Sequence, residues 1–227
     1  TTKGHYTVSL TACNFCGCDS ETKTDYIRID DPNLSFMPGA LVVPTNDTTP
    51  IDLYLQRADA GLSGFDLNLF WADTVHGNIT GVVFPAWAVN QTVIGTLPGP
   101  TVQVRGVDLF NSVTPGATNV YLGSFNLTGV TPTYPSTMWF NVSVNELDDN
   151  FGDPVYTNSI PANITVVRLL PFPGKINPPN DPDGDQLYWD VNGNGFIDFS
   201  DVVTYFQNMQ WIRDNQYVPF FDYNKNG

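Results

Sequence analysis

The sequence predicts a mainly β protein, an antiparallel sandwich or barrel, followed by a small second module. From residue 1 to about residue 170, short segments of alternating apolar and polar residues are separated by Pro, Gly, Asn and Asp clusters. Of the 23 acidic residues only Glu21 and Glu146 are glutamate, and aspartate is a poor helix former. A helical pattern first occurs after Phe199, and the apolar set of this predicted helix is Val202, Val203, Tyr205, Phe206 and Met209. With 41% hydrophobic residues, a chain of 227 residues can bury one substantial core and one small one.

About nine strands fit this pattern. The clearest covers residues 64–71, where Phe65, Leu67, Leu69 and Trp71 fall on one face and polar residues fall on the other. In a second strand we expect an inward set of Met138, Phe140, Val142 and Val144, with Trp139 facing outward. The remaining strands are predicted near residues 5–12, 25–29, 51–56, 79–84, 101–106, 125–127 and 162–169.

The predicted domain order follows from changes in composition. Residues 1–170 form the sandwich, with residues 1–34 as an N-terminal extension. Residues 171–180 contain four prolines and are predicted to be a stiff, extended linker. Residues 181–227 are rich in aspartate and form the second module.

Charge and apolar content limit the function classes. The net charge of −14 disfavours binding to nucleic acid, because the phosphate backbone would be repelled. No run of about 18 apolar residues occurs, so we expect no membrane-spanning helix. Seven glycosylation sequons indicate an extracellular or cell-surface glycoprotein with N-linked glycans, at Asn33, Asn46, Asn78, Asn90, Asn126, Asn141 and Asn163.

All three cysteines lie within six residues, at Cys13, Cys16 and Cys18. One local disulfide with a leftover thiol is favoured in an exported chain, and the leftover thiol could link two chains. A soft-metal site is the alternative, although only His5 or His76 could supply a fourth ligand.

The most specific motif is a twelve-residue loop from Asp190 to Asp201. Its spacing is that of an EF-hand calcium loop, in which oxygen atoms converge on a hard cation and a glycine at position 6, here Gly195, permits the sharp turn. Asp201 at position 12 replaces the usual glutamate. The expected Ca²⁺ ligands, at positions 1, 3, 5, 7, 9 and 12, are Asp190, Asn192, Asn194, the carbonyl of Phe196, Asp198 through water, and Asp201.

Two further segments show parts of this chemistry. A second loop begins with Asp222, Asn224 and Asn226 and reaches only position 6 within the sequence. Upstream of the first loop, three acidic residues occupy alternate positions, Asp181, Asp183 and Asp185. They could form another cation site or a solvated acidic turn, and the sequence leaves both interpretations open.

Two calcium loops separated by a helix resemble the dockerin module, whose family docks onto cohesin domains. The resemblance covers residues 181–227 and implies the calcium ligands named above. The strand patterns at 51–55, 61–71, 122–125 and 140–148 in turn resemble those of cohesins, over roughly residues 35–169. That resemblance implies a nine-stranded jelly-roll sandwich without catalytic residues, as in many archaeal and bacterial surface proteins.

Candidate catalytic groups have simpler explanations. Glu146, Asp148 and Asp149 could serve a glycosidase, but they lie in a predicted solvated loop. We therefore expect a protein without enzymatic activity, whose modules mediate self-association or protein assembly in a surface layer, sheath or filament. The alternative is a carbohydrate-binding module using tryptophan rings, for which Trp139 is the predicted exposed ring.

Overall fold

The computed structural model describes residues 4–29, 31–45, 47–130 and 135–224. Within them the protein is mainly β, as predicted, with thirteen strands and two short α-helices. The strands are β1 (Gly4–Asn14), β2 (Gly17–Ile29), β3 (Asn33–Met37), β4 (Ala40–Pro44), β5 (Thr48–Ala58), β6 (Gly64–Trp71), β7 (Gly77–Val83), β8 (Val89–Ile94), β9 (Thr101–Val107), β10 (Ala117–Gly129), β11 (Ser136–Asp148), β12 (Asn158–Ile160) and β13 (Ala162–Val167). They are followed by α1 (Phe199–Gln207), α2 (Met209–Asn215) and a 3₁₀ helix (Val218–Phe221). Among these residues, neither α-helix has the length and apolar content that a membrane-spanning segment requires.

Eleven of the described strands form the two sheets of the sandwich. One sheet has the order β12-β3-β5-β10-β7 and the other β4-β13-β11-β6-β9-β8. The sequence pattern missed β3, β4, β8 and β12. Three of these four strands, β3, β4 and β12, lie where the chain changes sheet at a proline. The prolines are Pro38, between β3 and β4, and Pro161, between β12 and β13. Proline has no N–H for the ladder, so one long strand becomes two short ones.

All strand pairs of the sandwich are antiparallel except for one pair at an edge of each sheet. There β3 pairs with β12, and β4 pairs with β13, in parallel. A parallel pair joins segments that are distant in sequence. The first and last strands of the sandwich therefore lie side by side in both sheets.

The core lies between the two sheets and is formed by the predicted alternation. Phe65, Leu67, Leu69 and Trp71 are each at most 4% exposed. From β11, Phe140 contacts the Trp71 ring, at 5.6 Å between ring centroids. The inward-facing sides that the sequence predicts for β6 and β11 are therefore confirmed.

The N-terminal strands β1 and β2 form a separate two-stranded sheet. Cys13 and Cys18 face each other across its tip and form a disulfide, while Cys16 in the turn is a free, exposed thiol. The structure thus selects the disulfide with a leftover thiol over a soft-metal site.

The C-terminal module packs directly on the sandwich through a second core. This core joins the end of β13 to residues of the module and comprises Val167, Leu169, Phe172, Tyr188, Val191, Ile212, Phe220 and Phe221. Residues 171–180 form neither a strand nor a helix. Within them Phe172 is 1% exposed and contacts Trp211, at 4.9 Å between centroids. This segment therefore contributes to the packing of the module as well as connecting it.

Candidate calcium loop and interaction surfaces

The loop from Asp190 to Asp201 is organised around its first residue. Asp190 is fully buried, and its carboxylate accepts hydrogen bonds from the backbone N–H groups of Asn194 at 3.0 Å and Gly195 at 2.8 Å. Gly195 adopts a φ of +88°, a left-handed conformation that favours glycine. The sharp turn expected at position 6 is present.

The last residue of the loop fixes its other end. Asp201 is 3% exposed, and its two carboxylate oxygens accept from the backbone N–H groups of Asn192 at 3.0 Å and Asp198 at 2.9 Å. Asp198 in turn caps α1 by accepting from the Ser200 N–H at 2.7 Å, and the reciprocal bonds between the side chains and backbone N–H groups of Asp198 and Asp201 form a capping box. Hydrogen bonds from Ser200 lower the pKa of the Asp198 carboxyl. Asp201 therefore ties the start of the loop to the start of α1.

The donor set of this loop fits a calcium ion. Asp190, Asn192 and Asp201 are buried, and no ion pair links either carboxylate to a basic side chain in the described part of the chain. Two buried carboxylates without a cation are costly, and carboxylate and amide oxygens are the ligands that Ca²⁺ prefers. The remaining expected ligand residues, Asn194, Phe196 and Asp198, are exposed at the rim of the loop.

The upstream acidic residues form a tighter carboxylate group. Among the described residues, Asp181, Asp183 and Asp185 are the three acidic side chains whose oxygens all lie within 4.8 Å of one another. Partial burial, together with the neighbouring carboxylates, raises the pKa of Asp181 despite hydrogen bonds from the N–H groups of Gly184 and Gln186. These bonds are those of an ordinary acidic turn, so a cation site here stays a prediction.

The start of the second predicted loop lies against the first. Tyr223 stacks on Trp189, at 4.1 Å between centroids, and its hydroxyl donates to the Tyr188 carbonyl at 2.7 Å. Of the expected ligands, Asp222 is partly buried and Asn224 is exposed. Asn226 lies outside the described residues.

Helix α1 presents apolar side chains to solvent. The sequence pattern marked Val202, Val203, Tyr205, Phe206 and Met209 as the apolar side of this helix, but the side chains that α1 buries are Asp201 and Thr204. We call the exposed apolar group the α1 surface; it comprises Phe196 (72% exposed), Phe199 (77%), Val202 (46%), Phe206 (65%) and Met209 (40%). A groove of about 210 Å³ runs beside it, lined in part by Trp189 and Tyr223.

A polar network lies on the outer face of the six-stranded sheet. Asp66 on β6 is 7% exposed and accepts from Gln103 at 2.7 Å, Arg105 Nε at 2.7 Å and Asn145 at 3.0 Å. Burial alone would raise the pKa of Asp66, but these three donors outweigh it and lower the pKa. The alternation of residues 64–71 predicts that Asp66 lies on the outer face. It does not predict the network, because the members of the network come from three strands, β6, β9 and β11.

Four of the five tryptophans are engaged in packing. Trp71 is 1% exposed, Trp87 donates to the Tyr121 carbonyl at 2.9 Å, and the other two contact aromatic neighbours in the module. Trp139 is 52% exposed and faces outward, as predicted. A sugar platform would therefore depend chiefly on one ring.

The candidate catalytic acids do not form an organised site. Glu146 is exposed, and its contact with Asp148 raises its pKa. Asp149 accepts from the N–H groups of Phe151 and Asp153, as in a loop turn. His76 pairs with Asp73 at 2.8 Å in another loop.

The sequon asparagines differ in accessibility. Asn90 is exposed, whereas Asn163 has a buried side-chain oxygen without a hydrogen-bond partner. Four others are half-buried, namely Asn33, Asn78, Asn126 and Asn141, and Asn46 lies outside the described residues.

Comparison with known proteins relates the sandwich to solved structures. No protein-family model matches the sequence, and neither does any curated protein. A cohesin from Acetivibrio cellulolyticus scaffoldin B, solved with the Cel5 dockerin, has a TM-score of 0.50 and 14% identity, covering 61% of this chain and 100% of that one. A type I cohesin–dockerin complex from Clostridium thermocellum, Coh-OlpA–Doc918, gives 0.50 at 9% identity, with the same coverage.

The sandwich has the cohesin fold. A third structure, the CaDoc0917–CaCohA2 complex, agrees at a TM-score of 0.50 and 12% identity, covering 60% of this chain and 99% of that one. At these identities the likeness shows the fold alone. It does not show a dockerin module in this chain, whose C-terminal part is mostly unmatched.

Proposed function

We propose that this chain is a non-catalytic assembly protein, in which a cohesin-like sandwich and a calcium-stabilised C-terminal module bind protein partners, including other copies of the chain. The α1 surface carries this proposal. An exposed apolar patch rimmed by polar residues marks a site of protein association. Here Phe196, Phe199 and Phe206 are each at least 65% exposed beside the calcium loop.

Calcium would act by holding α1 in place. Asp201 belongs both to the loop and to the first turn of α1, so a cation bound by the loop orders the helix that presents the surface. Phe196 lies within the loop itself. The partner-binding surface therefore depends on the ion more than the sandwich does.

The partner class follows from the surface and from the neighbours. The solved cohesins named above are in complex with dockerins, which supports a protein as the ligand of the sandwich. The polar network around Asp66 offers a hydrogen-bonded polar face for such a contact on β6, β9 and β11. We further propose that the protein acts at the cell surface in a layer, sheath or filament, with N-linked glycans at accessible sequons such as Asn90.

Light scattering of the full chain tests the α1 surface. With calcium we expect a particle mass that rises with protein concentration, and with chelator a smaller particle. The double variant Phe199→Ser, Phe206→Ser should give a smaller particle than the wild type in calcium, while Phe151→Ser, a control at a 79% exposed loop residue, should behave as the wild type. A wild type that stays monomeric in calcium well above micromolar concentration would argue against self-association, and a double variant that associates as strongly as the wild type would exclude the α1 surface.

Carbohydrate binding is the second candidate function, supported by the exposed ring of Trp139 on the outer sheet face. A glycan array distinguishes the two. Binding to a defined sugar class that is lost in Trp139→Ala, and is unaffected by Phe206→Ser, would favour the carbohydrate-binding module.

A further inference from the structure

The β1–β2 hairpin forms an arm beside the sandwich. In the described part of the chain, β1 and β2 pair only with each other. Eleven residues of β1 span about 35 Å in an extended strand. Leu10 is 71% exposed, and Phe15 at the tip is fully exposed. A two-stranded hairpin alone is marginally stable in water, so this arm gains from a partner.

One face of the arm is closed by bonds within the hairpin. Ser9 and Thr22 share a side-chain hydrogen bond of 2.7 Å, and Thr11 and Ser20 share another of 2.7 Å. The Cys13–Cys18 disulfide continues this row at the tip. The polar groups of this face satisfy one another, so it offers little to a partner.

The opposite face has two parallel strips. Directly opposed residues lie on the same face of a hairpin, and the pairs here are Val8 with Lys23 and Leu10 with Glu21. The β1 side is therefore apolar and the β2 side charged. Within one copy, Lys23 Nζ lies 3.9 Å from Glu21 Oε1 and 5.1 Å from the Tyr26 ring, and both members of this ion pair are more than half exposed. So loose a pair can exchange partners at little cost.

This face is complementary to itself. If two arms stack antiparallel about a two-fold axis between these two rows, Lys23 of each copy lies opposite Glu21 of the other, and Leu10 lies opposite Val8. Two ion pairs and two apolar contacts form at once, which is the arrangement of an isologous interface.

Charge also favours the arm over the rest of the molecule as a contact between copies. Residues 4–29 contain Lys23 and Arg28 against Asp19, Glu21 and Asp25, so they hold one net negative charge of the chain's −14. Contacts between the remaining parts would bring two strongly acidic bodies together. An arm keeps those bodies apart.

We infer that the Val8–Leu10–Glu21–Lys23 face of the hairpin is a self-association site that pairs with the same face of a second copy. The inference rests on the proposed assembly function, but it uses a different surface from α1. The contact is small, so it is a weak interface whose effect grows when many copies are held together.

Charge reversal tests the pairing. Sedimentation equilibrium of the full chain in calcium would use the Phe199→Ser, Phe206→Ser background, so that α1 contacts do not contribute. Lys23→Glu and Glu21→Lys should each weaken dimerisation about tenfold, because each reversal turns two attractions into repulsions. The double variant Lys23→Glu, Glu21→Lys should return to within about threefold of its parent.

Further variants separate the two faces. Leu10→Ser should weaken dimerisation, whereas Thr22→Glu, which adds a charge to the closed face, should leave the constant unchanged. A double reversal as weak as the single ones, or a Leu10→Ser constant equal to that of the parent, would overturn the inference. So would a parent background that shows no dimer. Each of these results leaves the α1 proposal standing, because α1 is tested in the wild-type background.

Discussion

The hydroxyl of Tyr188 donates a 2.8 Å hydrogen bond to Asp47 and thereby joins the C-terminal module to the sandwich. Tyr188 is 2% exposed and precedes Asp190, the first residue of the Asp190–Asp201 loop, by two positions. Asp47 directly precedes β5. The Asp190–Asp201 loop is therefore anchored to the sandwich by a polar contact as well as by the second core.

Removing this contact should destabilise the whole chain. Tyr188→Phe keeps the packing and loses one buried hydrogen bond, so we expect a loss of about 1 kcal/mol in the free energy of unfolding. Urea unfolding measures it, with Tyr156→Phe, at a 72% exposed site, as the control. A double-mutant cycle with Asp47→Ala completes the test: strictly additive losses would show that the two residues are not coupled.

Alkaline pH should weaken the same junction. Burial, followed by the nearby Asp47 carboxylate, raises the pKa of Tyr188 above its ordinary value. The unfolded chain then ionises this tyrosine before the folded chain does, so its contribution to stability is complete below about pH 10 and is lost as the pH rises beyond that value. Tyr188→Phe should lose less stability than the wild type between about pH 9 and 11. Equal losses in urea midpoints at the two pH values would contradict the assignment.

Calcium should raise the melting temperature through the Asp190 loop. Asp190→Asn removes a buried carboxylate and should abolish the calcium-induced shift, measured by calorimetry with and without chelator. Asp214→Asn on α2 is a matched control and should keep the shift.

Asp183→Asn tests the acidic group of Asp181, Asp183 and Asp185. An unchanged calcium-induced shift and an unchanged calcium stoichiometry would identify a solvated turn, whereas the loss of one bound ion would identify a second site.

The Asp66 network should stabilise the outer sheet face. Asp66→Ala leaves Gln103, Arg105 and Asn145 without their shared acceptor, and we expect a loss of about 1–2 kcal/mol because these donors can recover water in part. Since the pKa of Asp66 is lowered, its contribution is present above about pH 4 and is lost as the pH falls through the folded pKa. Urea midpoints measured over a series of acidic pH values test both the loss of stability and its pH dependence, with Asp153→Ala in an exposed loop as the control. Equal midpoints for Asp66→Ala and this control would exclude a stabilising network.

The sandwich could be predicted because its strands repeat a simple alternation. Alternate residues of β6 and β11 face the core as the pattern requires, namely Phe65, Leu67, Leu69 and Trp71 on β6 and Met138, Phe140 and Val142 on β11. The short strands β3 and β4 could not be predicted, since five residues on each side of Pro38 carry too little periodicity. The contact between Tyr188 and Asp47 joins residues 141 positions apart, and a local pattern contains no information about it.

Helix α1 shows a second limit of sequence patterns. Its apolar residues predict a buried side, yet Phe206 is 65% exposed and Asp201 is buried instead. An amphipathic pattern shows which side of a helix is apolar. It does not show whether that side is buried by the same chain or by a partner. The capping interactions of Asp198 and Asp201 decide the orientation, because they turn the polar side toward the loop.

The parallel pairing of β4 with β13 has a mechanical consequence. Five residue pairs, from Asn163 with Ala40 to Val167 with Pro44, connect the first and last parts of the sandwich. A pulling force applied between the N-terminal side of β4 and the C-terminal module would load this ladder along the strands. Its hydrogen bonds would then share the load and shear together instead of opening one after another. If the protein carries tension between neighbouring molecules, the β4–β13 ladder would therefore be the part of the sandwich that resists extension.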